Sequence, residues 1–367
     1  MIEGFQSHNL RGLHVSPHWD FVGVRRMRVC PTPASPEQVH IGAHLRAISP
    51  RDKPWDVHKA SAEHVSGVFL RDAALAKQGA RMRQCSGVLH FGWRQAEEGA
   101  KLRLRRAQFC RVRVCPVCQW RRSLMWRARL YQALPSIIKA NPQGRWLFLT
   151  LTVRNCYVPD LRETLQAMNK AWQRLLKRPE FAHVIGWLRT TEVTRGRDGS
   201  AHPHFHVLLL VKPGMLSKYY VPQSRWVELW QECMRLDYSP IVDIRTVRER
   251  PSRKGNTEDP FPVELPEGMS PGLARAIMEV AKYSTKDKDL LADDGWLICF
   301  AKQVGGLRFI AAGGVLKDVL QFDAETNDDL LLQTAEKVLE AETKLQFWWQ
   351  TCERSYVLRK GAYAAPV

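Results

Sequence analysis

No stretch of this sequence approaches the roughly 18 consecutive apolar residues that indicate a transmembrane helix. The N-terminus also lacks the basic start and following apolar run of a secretory signal peptide. We therefore expect a cytoplasmic protein with no membrane partner. The 9 cysteines are an odd number, and in a reducing compartment any that cluster are expected to bind metal rather than form disulfides.

Acidic residues are also few in this chain. It has 37 Asp and Glu against 55 Lys and Arg, which gives a net charge of +18 at pH 7. So large an excess of one sign favours a polyanionic partner, nucleic acid before a membrane surface. The apolar content of 45% and the 13 Trp indicate a folded protein, and 367 residues suffice for two or three domains.

A group of cysteines is the first chemical motif. Cys115 and Cys118 are separated by two residues, a spacing at which two thiolates can bind one tetrahedral zinc ion. Cys110 and Cys85 could complete a structural site with four thiolates, and His90 is the alternative to Cys85. A Cys-x-x-Cys pair can also be a redox pair, but two further cysteines nearby favour zinc.

Basic and aromatic residues follow directly after the last of these cysteines. Arg and Trp interleaved on a helix place phosphate contacts beside stacking surfaces, which suits DNA binding, although charge runs are also common on solvated helices. The predicted DNA-binding residues are Trp120, Arg121, Arg122 and Trp126. With the cysteines they define a predicted zinc- and DNA-binding element over residues 81–135.

Two histidines on one predicted strand are the second motif. His204 and His206 share one face of a strand whose apolar continuation, residues 207–211, indicates burial on both sides and a central place in its sheet. A turn-rich segment joins it to an earlier strand, residues 184–194. If the two strands form a hairpin, Glu192 lies opposite His204 or His206. Two imidazoles and a carboxylate suit a divalent ion with open coordination positions.

A predicted helix from Pro271 to about Asp287 carries the third motif. Glu279 and Tyr283 are i, i+4 neighbours on this helix, and Lys286 lies further along the same side. A tyrosine in such a place is by default a packing residue, so the motif has little meaning alone.

The remaining predictions concern the chain outside these motifs. Residues 1–80 show no clear periodicity and are predicted to be loosely ordered, apart from a short helix from Ala60 to Lys77. Residues 140–320 are predicted to form one domain, in which a strand or hairpin covers residues 296–310. The last segment, residues 321–367, is predicted to be helical, mainly from Asp328 to Gln350.

Three of these segments, in this order, resemble the motifs of plasmid rolling-circle replication initiators of the HUH endonuclease superfamily. Residues 148–152, Phe-Leu-Thr-Leu-Thr, resemble the first motif, and residues 202–208, His-Pro-His-Phe-His-Val-Leu, resemble the metal-binding motif. Residues 279–286, Glu-Val-Ala-Lys-Tyr-Ser-Thr-Lys, resemble the nucleophile motif of single-tyrosine members. Residues 109–122 are similar to a cysteine region that one branch has ahead of the first motif. The resemblance covers about residues 83–316.

The resemblance implies an α+β fold, with a compact ferredoxin- or RRM-like antiparallel sheet, the histidine strand at its centre, helices packed on it and a small zinc element. It also implies metal-dependent nicking and rejoining of single-stranded or hairpin origin DNA in a bacterial cytoplasm, with a host helicase as a further partner. Mg²⁺ or Mn²⁺ would bind His204, His206 and Glu192. Tyr283 would form a 5′-phosphotyrosine intermediate, aided by Lys286, and Glu279 would activate water for the second cut.

Two other interpretations remain open. A single-strand transposase or a relaxase uses the same chemistry, but relaxases place the tyrosine before the histidines, whereas here Tyr283 follows them. A non-catalytic zinc-containing DNA-binding regulator would explain the charge and the cysteines, but it gives no role to Glu279, Tyr283 or the histidine strand. His202 has the same parity as the two predicted ligands and is a third ligand, a proton shuttle or neither.

Overall fold

The computed structural model describes residues 40–96, 99–247, 265–282, 285–320, 325–332 and 345–361. The described strands are β1 (Val88–Ala96), β2 (Gly99–Ala107), β3 (Arg145–Thr152), β4 (Val184–Arg195), β5 (Ala201–Val211), β6 (Val242–Thr246), β7 (Ile310–Gly314), β8 (Leu345–Gln350) and β9 (Ser355–Lys360). The described helices are α1 (Leu45–Ile48), α2 (Pro54–Leu70), α3 (Ala76–Arg83), α4 (Pro116–Ala140), α5 (Leu161–Leu175), α6 (Gln223–Met234), α7 (Pro271–Val280), α8 (Asp287–Leu290), α9 (Asp294–Val304) and α10 (Asn327–Leu331).

The histidine strand β5 lies at the centre of a five-stranded antiparallel sheet with the order β6-β3-β5-β4-β7. Both faces of this strand are covered, which explains its nearly continuous apolar sequence after His206. A second antiparallel sheet has four strands in the order β2-β1-β8-β9. The predicted α+β class, with antiparallel sheets flanked by helices, is confirmed.

Alternate residues of β5 pack into two separate apolar clusters. Phe205 and its neighbours on the same face contact α5 and α6, and the Phe205 ring lies 6.1 Å from that of Trp230. On the other face Leu208 packs against Leu134 of α4 and Ile277 of α7. The period of two along the strand therefore places the histidines on the face covered by α4 and α7.

The prediction of a helix from Asp328 to Gln350 is wrong for residues 345–350. These residues form β8, which pairs with β1 of the Cys-rich region and with β9. The buried side chains of Leu345 and Phe347 alternate with less buried ones, as a sheet with one packed face requires. Residues 333–344 lie outside the described part of the chain.

The N-terminal part of the chain is more regular than its sequence suggests. Residues 45–83 form α1, α2 and α3, and Trp55 and Phe69 of α2 are fully buried in the main core. The prediction of loose order is therefore wrong for this stretch, and residues 1–39 lie outside the described part. Residues 294–304 form α9, not the predicted strand, because Trp296, Leu297 and Phe300 recur at helical spacing and are buried together.

None of the described helices has the length and apolar character needed to cross a membrane.

Candidate metal and DNA-cleavage site

The pairing of β4 with β5 brings a carboxylate to the two histidines. Glu192 lies directly opposite His204 in the register, which confirms the predicted hairpin geometry. Its Oε2 atom is 3.3 Å from His204 Nε2 and 3.1 Å from His206 Nε2. One ligand atom from each of the three residues lies within 4.8 Å of the other two, so the group could hold a metal ion.

Neighbouring groups orient the two imidazoles toward Glu192. Nδ1 of His204 lies 3.3 Å from the carbonyl oxygen of His202, and Nδ1 of His206 lies 3.4 Å from the hydroxyl of Thr150. A carbonyl oxygen only accepts, so Nδ1 of His204 donates and Nε2 becomes the ligand atom. Thr150 was not singled out from the sequence, although it belongs to the stretch that resembles the first motif.

The electrostatics of the group also suit a cation. Burial opposes ionisation of the Glu192 carboxyl, but its contacts with His204 and His206 outweigh burial and hold its pKa well below the usual value. The side chains of the two histidines are only 11% and 12% exposed. A carboxylate ionised in so dry a place attracts a divalent ion, which would replace the protons shared in those contacts.

His202 is not part of this group. Its Nδ1 atom lies 2.8 Å from Oδ1 of Asn155, and its ring is tilted against that of His204. Burial, followed by the nearby His204, lowers the pKa of His202.

The stretch that resembles the nucleophile motif begins in α7, on the same face of the sheet. The helix ends at Val280, earlier than the predicted end near Asp287. Tyr283 lies outside the described residues. Glu279 forms an ion pair with Lys282, which is the residue before the tyrosine, and Lys286 is the N-cap residue of the short helix α8.

Four cysteines meet where α3, β2 and α4 come together. Sγ of Cys118 is 3.6 Å from Sγ of Cys85 and 3.6 Å from Sγ of Cys110, and Sγ of Cys115 is 3.8 Å from that of Cys85. Four sulfur atoms about 2.3 Å from one tetrahedral ion are about 3.8 Å apart. The spacing therefore fits four ligands of one ion, and the four cysteines are not joined in disulfides.

The protonation of these thiols supports the same conclusion. Burial raises the pKa values of Cys115 and Cys118, whereas hydrogen bonds from the other three cysteines lower that of Cys85. Several thiolates do not coexist in so small a buried space unless a cation joins them. The Cys115–Cys118 pair also occupies the N-terminal end of α4, where the helix dipole favours negative charge. His90, the alternative ligand considered for Cys85, is not in the cluster.

The residues predicted to bind DNA divide into two groups. Trp120 and Arg121 are buried, and Nε of Arg121 donates to the carbonyl oxygen of Leu330. Both pack against Trp55 of α2, so they hold the fold together and do not form a DNA surface. Arg122 is paired with Glu325, and Trp126 is half-buried beside a pocket.

Comparison with known proteins identifies the family. The family model described as Replication protein matches residues 101–357. The chain belongs to this family of plasmid replication initiators. It is 30% identical to Protein rep of Streptococcus pneumoniae over 84% of this chain and 93% of that protein. It is 33% identical to Protein rep of Bacillus amyloliquefaciens over 81% of this chain and 90% of that protein. It is 32% identical to Protein rep of Lentilactobacillus hilgardii over 73% of this chain and 82% of that protein. No solved structure matches the chain.

The four-cysteine group of this replication protein gives a direct test. We expect the parent to bind a metal ion at this group and Cys115→Ser to bind it far more weakly, because one of the four thiolates is replaced by a hydroxyl. Plasma mass spectrometry would measure about one metal ion less per chain, and thermal unfolding would occur at a lower temperature. The control is Cys352→Ser, since Cys352 is exposed and lies outside the group. Equal metal content in parent and Cys115→Ser would contradict the assignment.

Proposed function

We propose that this replication protein starts rolling-circle replication by nicking and rejoining one strand of its plasmid origin. The observation that supports this most is the Glu192–His204–His206 group, which the sheet brings together beside the stretch that resembles the nucleophile motif. Single-stranded or hairpin origin DNA is the proposed substrate, in a bacterial cytoplasm. A host helicase is a proposed further partner, because nicking alone does not unwind the duplex.

The triad is proposed to bind Mg²⁺ or Mn²⁺, and the ion would supply Lewis-acid polarisation of the scissile phosphate. Glu192, His204 and His206 would each provide one ligand atom to this ion. Nδ1 of His204 stays hydrogen-bonded to a carbonyl oxygen, which keeps its Nε2 directed at the site.

Tyr283 is proposed as the nucleophile. Its phenolate oxygen attacks phosphorus, the bond from phosphorus to the 3′ oxygen breaks, and the 3′ oxygen takes a proton to become the primer hydroxyl. The phosphotyrosine keeps the free energy of the phosphodiester bond, so rejoining needs no ATP. Free tyrosine, with a pKa of about 10, is mostly protonated at neutral pH, and Lys286 is proposed to favour the phenolate.

The four-cysteine group is proposed to bind a structural Zn²⁺. Four thiolates at tetrahedral spacing with no position left for a substrate are typical of structural zinc. This metal would hold the Cys-rich element in place and take no part in the cleavage.

Two other functions remain as outcomes of the tests. A transposase or relaxase would also form a covalent adduct with DNA, but it would join the cleaved strand to a different DNA end. A zinc-containing regulator would bind the origin without forming an adduct.

The nucleophile can be tested with Tyr283→Phe. We expect it to abolish nicking and the covalent adduct while origin binding stays within a few-fold of the parent, because only one hydroxyl is lost. Denaturing gel electrophoresis of the protein with a labelled single-stranded origin oligonucleotide and Mn²⁺ measures the adduct. Tyr220→Phe, which changes an exposed tyrosine after the histidine strand, is the matched control. Undiminished nicking by Tyr283→Phe would remove this residue from the mechanism.

The end of the replication cycle can be tested with Glu279→Gln. When Tyr283 is already esterified, the second cut needs water and a base, and such a base contributes about 10²–10⁴-fold. We expect Glu279→Gln to form the first nick and the adduct normally but to accumulate multimeric single strands, measured by Southern blotting of plasmid replication products.

The control for this test is Lys282→Gln, which breaks the same ion pair and keeps the carboxylate. That exposed pair contributes only about 0.2–0.5 kcal/mol to helix stability, so its loss explains no large effect. The proportion of multimers made by Lys282→Gln should equal that of the parent. Monomeric circles at the normal proportion from Glu279→Gln would exclude the water-activating role.

A further inference from the structure

A pocket opens between the Cys-rich element, residues 81–135, and the five-stranded sheet that carries Glu192, His204 and His206. Its walls come from the segment before α4, from α4 itself, from β4, from the start of β7 and from the turn that follows α7. Its lining includes Arg113, Arg122, Trp126, Thr190, Lys282 and Arg308.

The pocket has more positive charge than its acids neutralise. Glu325 forms two hydrogen bonds with Arg122, at 2.6 and 2.8 Å, and Lys282 is paired with Glu279. Arg113 and Arg308 form no ion pair with any carboxylate in the described part of the chain. Burial lowers the pKa of Arg113 to about 10, so it remains a cation at neutral pH. Two unneutralised guanidinium groups in one pocket favour an anion, and guanidinium matches phosphate geometry.

The same pocket offers an aromatic surface. Trp126 lines it and is half-buried, and the guanidinium of Arg129 lies 5.4 Å from the centre of its ring. Phe309 is buried and supports Arg113, whose guanidinium lies 4.8 Å from its ring centre. Phosphate-binding cations beside an accessible indole are the features that bind an unpaired nucleotide.

The position of the pocket connects it to the cleavage site. Thr190, in its wall, lies directly opposite His206 in the pairing of β4 with β5, and such partners have Cα atoms about 4.5–5.5 Å apart. Lys282, which also lines the pocket, directly precedes Tyr283 in the sequence. A strand whose scissile phosphate lies at the triad therefore has a neighbouring nucleotide within reach of the pocket.

We propose that this pocket binds one unpaired nucleotide of the origin strand beside the scissile phosphate. Arg113 and Arg308 bind its phosphate, and its base stacks on Trp126. The inference rests on the proposed function, because it takes single-stranded origin DNA as the substrate. A base within a duplex is already stacked on both sides, so only a single-stranded or flipped nucleotide can enter.

The Cys-rich element supplies two of the residues proposed to contact this nucleotide. Arg113 lies between Cys110 and Cys115, and Trp126 is on the helix that begins after Cys115. The metal ion that joins the cysteines would therefore position both the phosphate contact and the stacking surface.

The test is equilibrium binding of the full chain to a single-stranded origin oligonucleotide, measured by fluorescence anisotropy at several salt concentrations. All proteins carry Tyr283→Phe, so the oligonucleotide stays intact. We expect Arg308→Gln to bind about tenfold more weakly at low salt and to lower the salt slope by about 0.7, the value for one lost phosphate contact on a single strand. Arg308 is exposed, so this variant is expected to fold. The control, Arg359→Gln, removes the same charge from an exposed position on β9.

A second measurement locates the base. Abasic substitutions are placed one at a time on both sides of the cut, and each oligonucleotide is compared with parent and Trp126→Leu. At one position the missing base should weaken binding to the parent about tenfold and hardly affect Trp126→Leu, because the two changes remove the same stacking contact. The pocket assignment would be overturned by two results together. Arg308→Gln and Arg359→Gln would bind the oligonucleotide equally well, and the affinity losses caused by the abasic site and by Trp126→Leu would be additive at every position.

The outcomes separate this inference from the proposed function. Suppose that the pocket variants bind DNA like the controls, while the parent protein, which retains Tyr283, still forms its covalent adduct. The pocket assignment is then wrong and the nicking function stands. If the pocket variants lose affinity as expected but no adduct ever forms, the nucleotide site stands and the nicking function is wrong.

Discussion

The register of β4 against β5 is the constraint on which the candidate site depends. It places Glu192 opposite His204 and Thr190 opposite His206, all on the sheet face toward α4 and α7. A slip by one residue would move Glu192 to the face that packs against α5 and α6, where a carboxylate would meet the apolar cluster around Phe205. The tight connection between the strands, with Gly199 at a φ of +80°, helps to fix this register.

The four-cysteine group connects the five-stranded sheet to the rest of the chain. The four cysteines come from the end of α3, the end of β2 and the start of α4, and Lys59 of α2 donates to the carbonyl oxygen of Cys85 at 2.8 Å. Cys85 and α2 precede residue 101, where the match to the family model begins. One metal ion at the four cysteines would therefore hold this N-terminal helical part against the family's domain. Helix α4, which begins at these cysteines, also carries Trp126.

The sequence was most informative where a feature is local. The period of two in residues 201–211 predicted a central strand, and the turn around Asp198 predicted the hairpin that brings Glu192 to His204. The Cys-x-x-Cys spacing likewise identified a group that the structure gathers within 4.8 Å.

The failures concern contacts between distant parts of the chain. Trp120 and Arg121 have the composition of a DNA-binding helix, yet α2 covers them, and nothing in their local sequence reveals that partner. The strand at residues 345–350 is not recognisable from its local sequence, because its pairing partner, β1, lies far away in the sequence. The pocket was missed for the same reason, since Arg113 and Arg308 belong to separate segments that meet only in the fold.

We propose that Glu192, His204 and His206 bind one divalent cation for strand cleavage. Electron paramagnetic resonance of Mn²⁺ titrated into the full chain tests it most directly, with Glu192→Gln as the variant and Glu228→Gln, on the exposed side of α6, as the control. We expect one tight Mn²⁺ site in the parent and the control, with affinity at least tenfold lower in Glu192→Gln because a charged ligand is lost. Equal Mn²⁺ affinity in the parent and Glu192→Gln would contradict it.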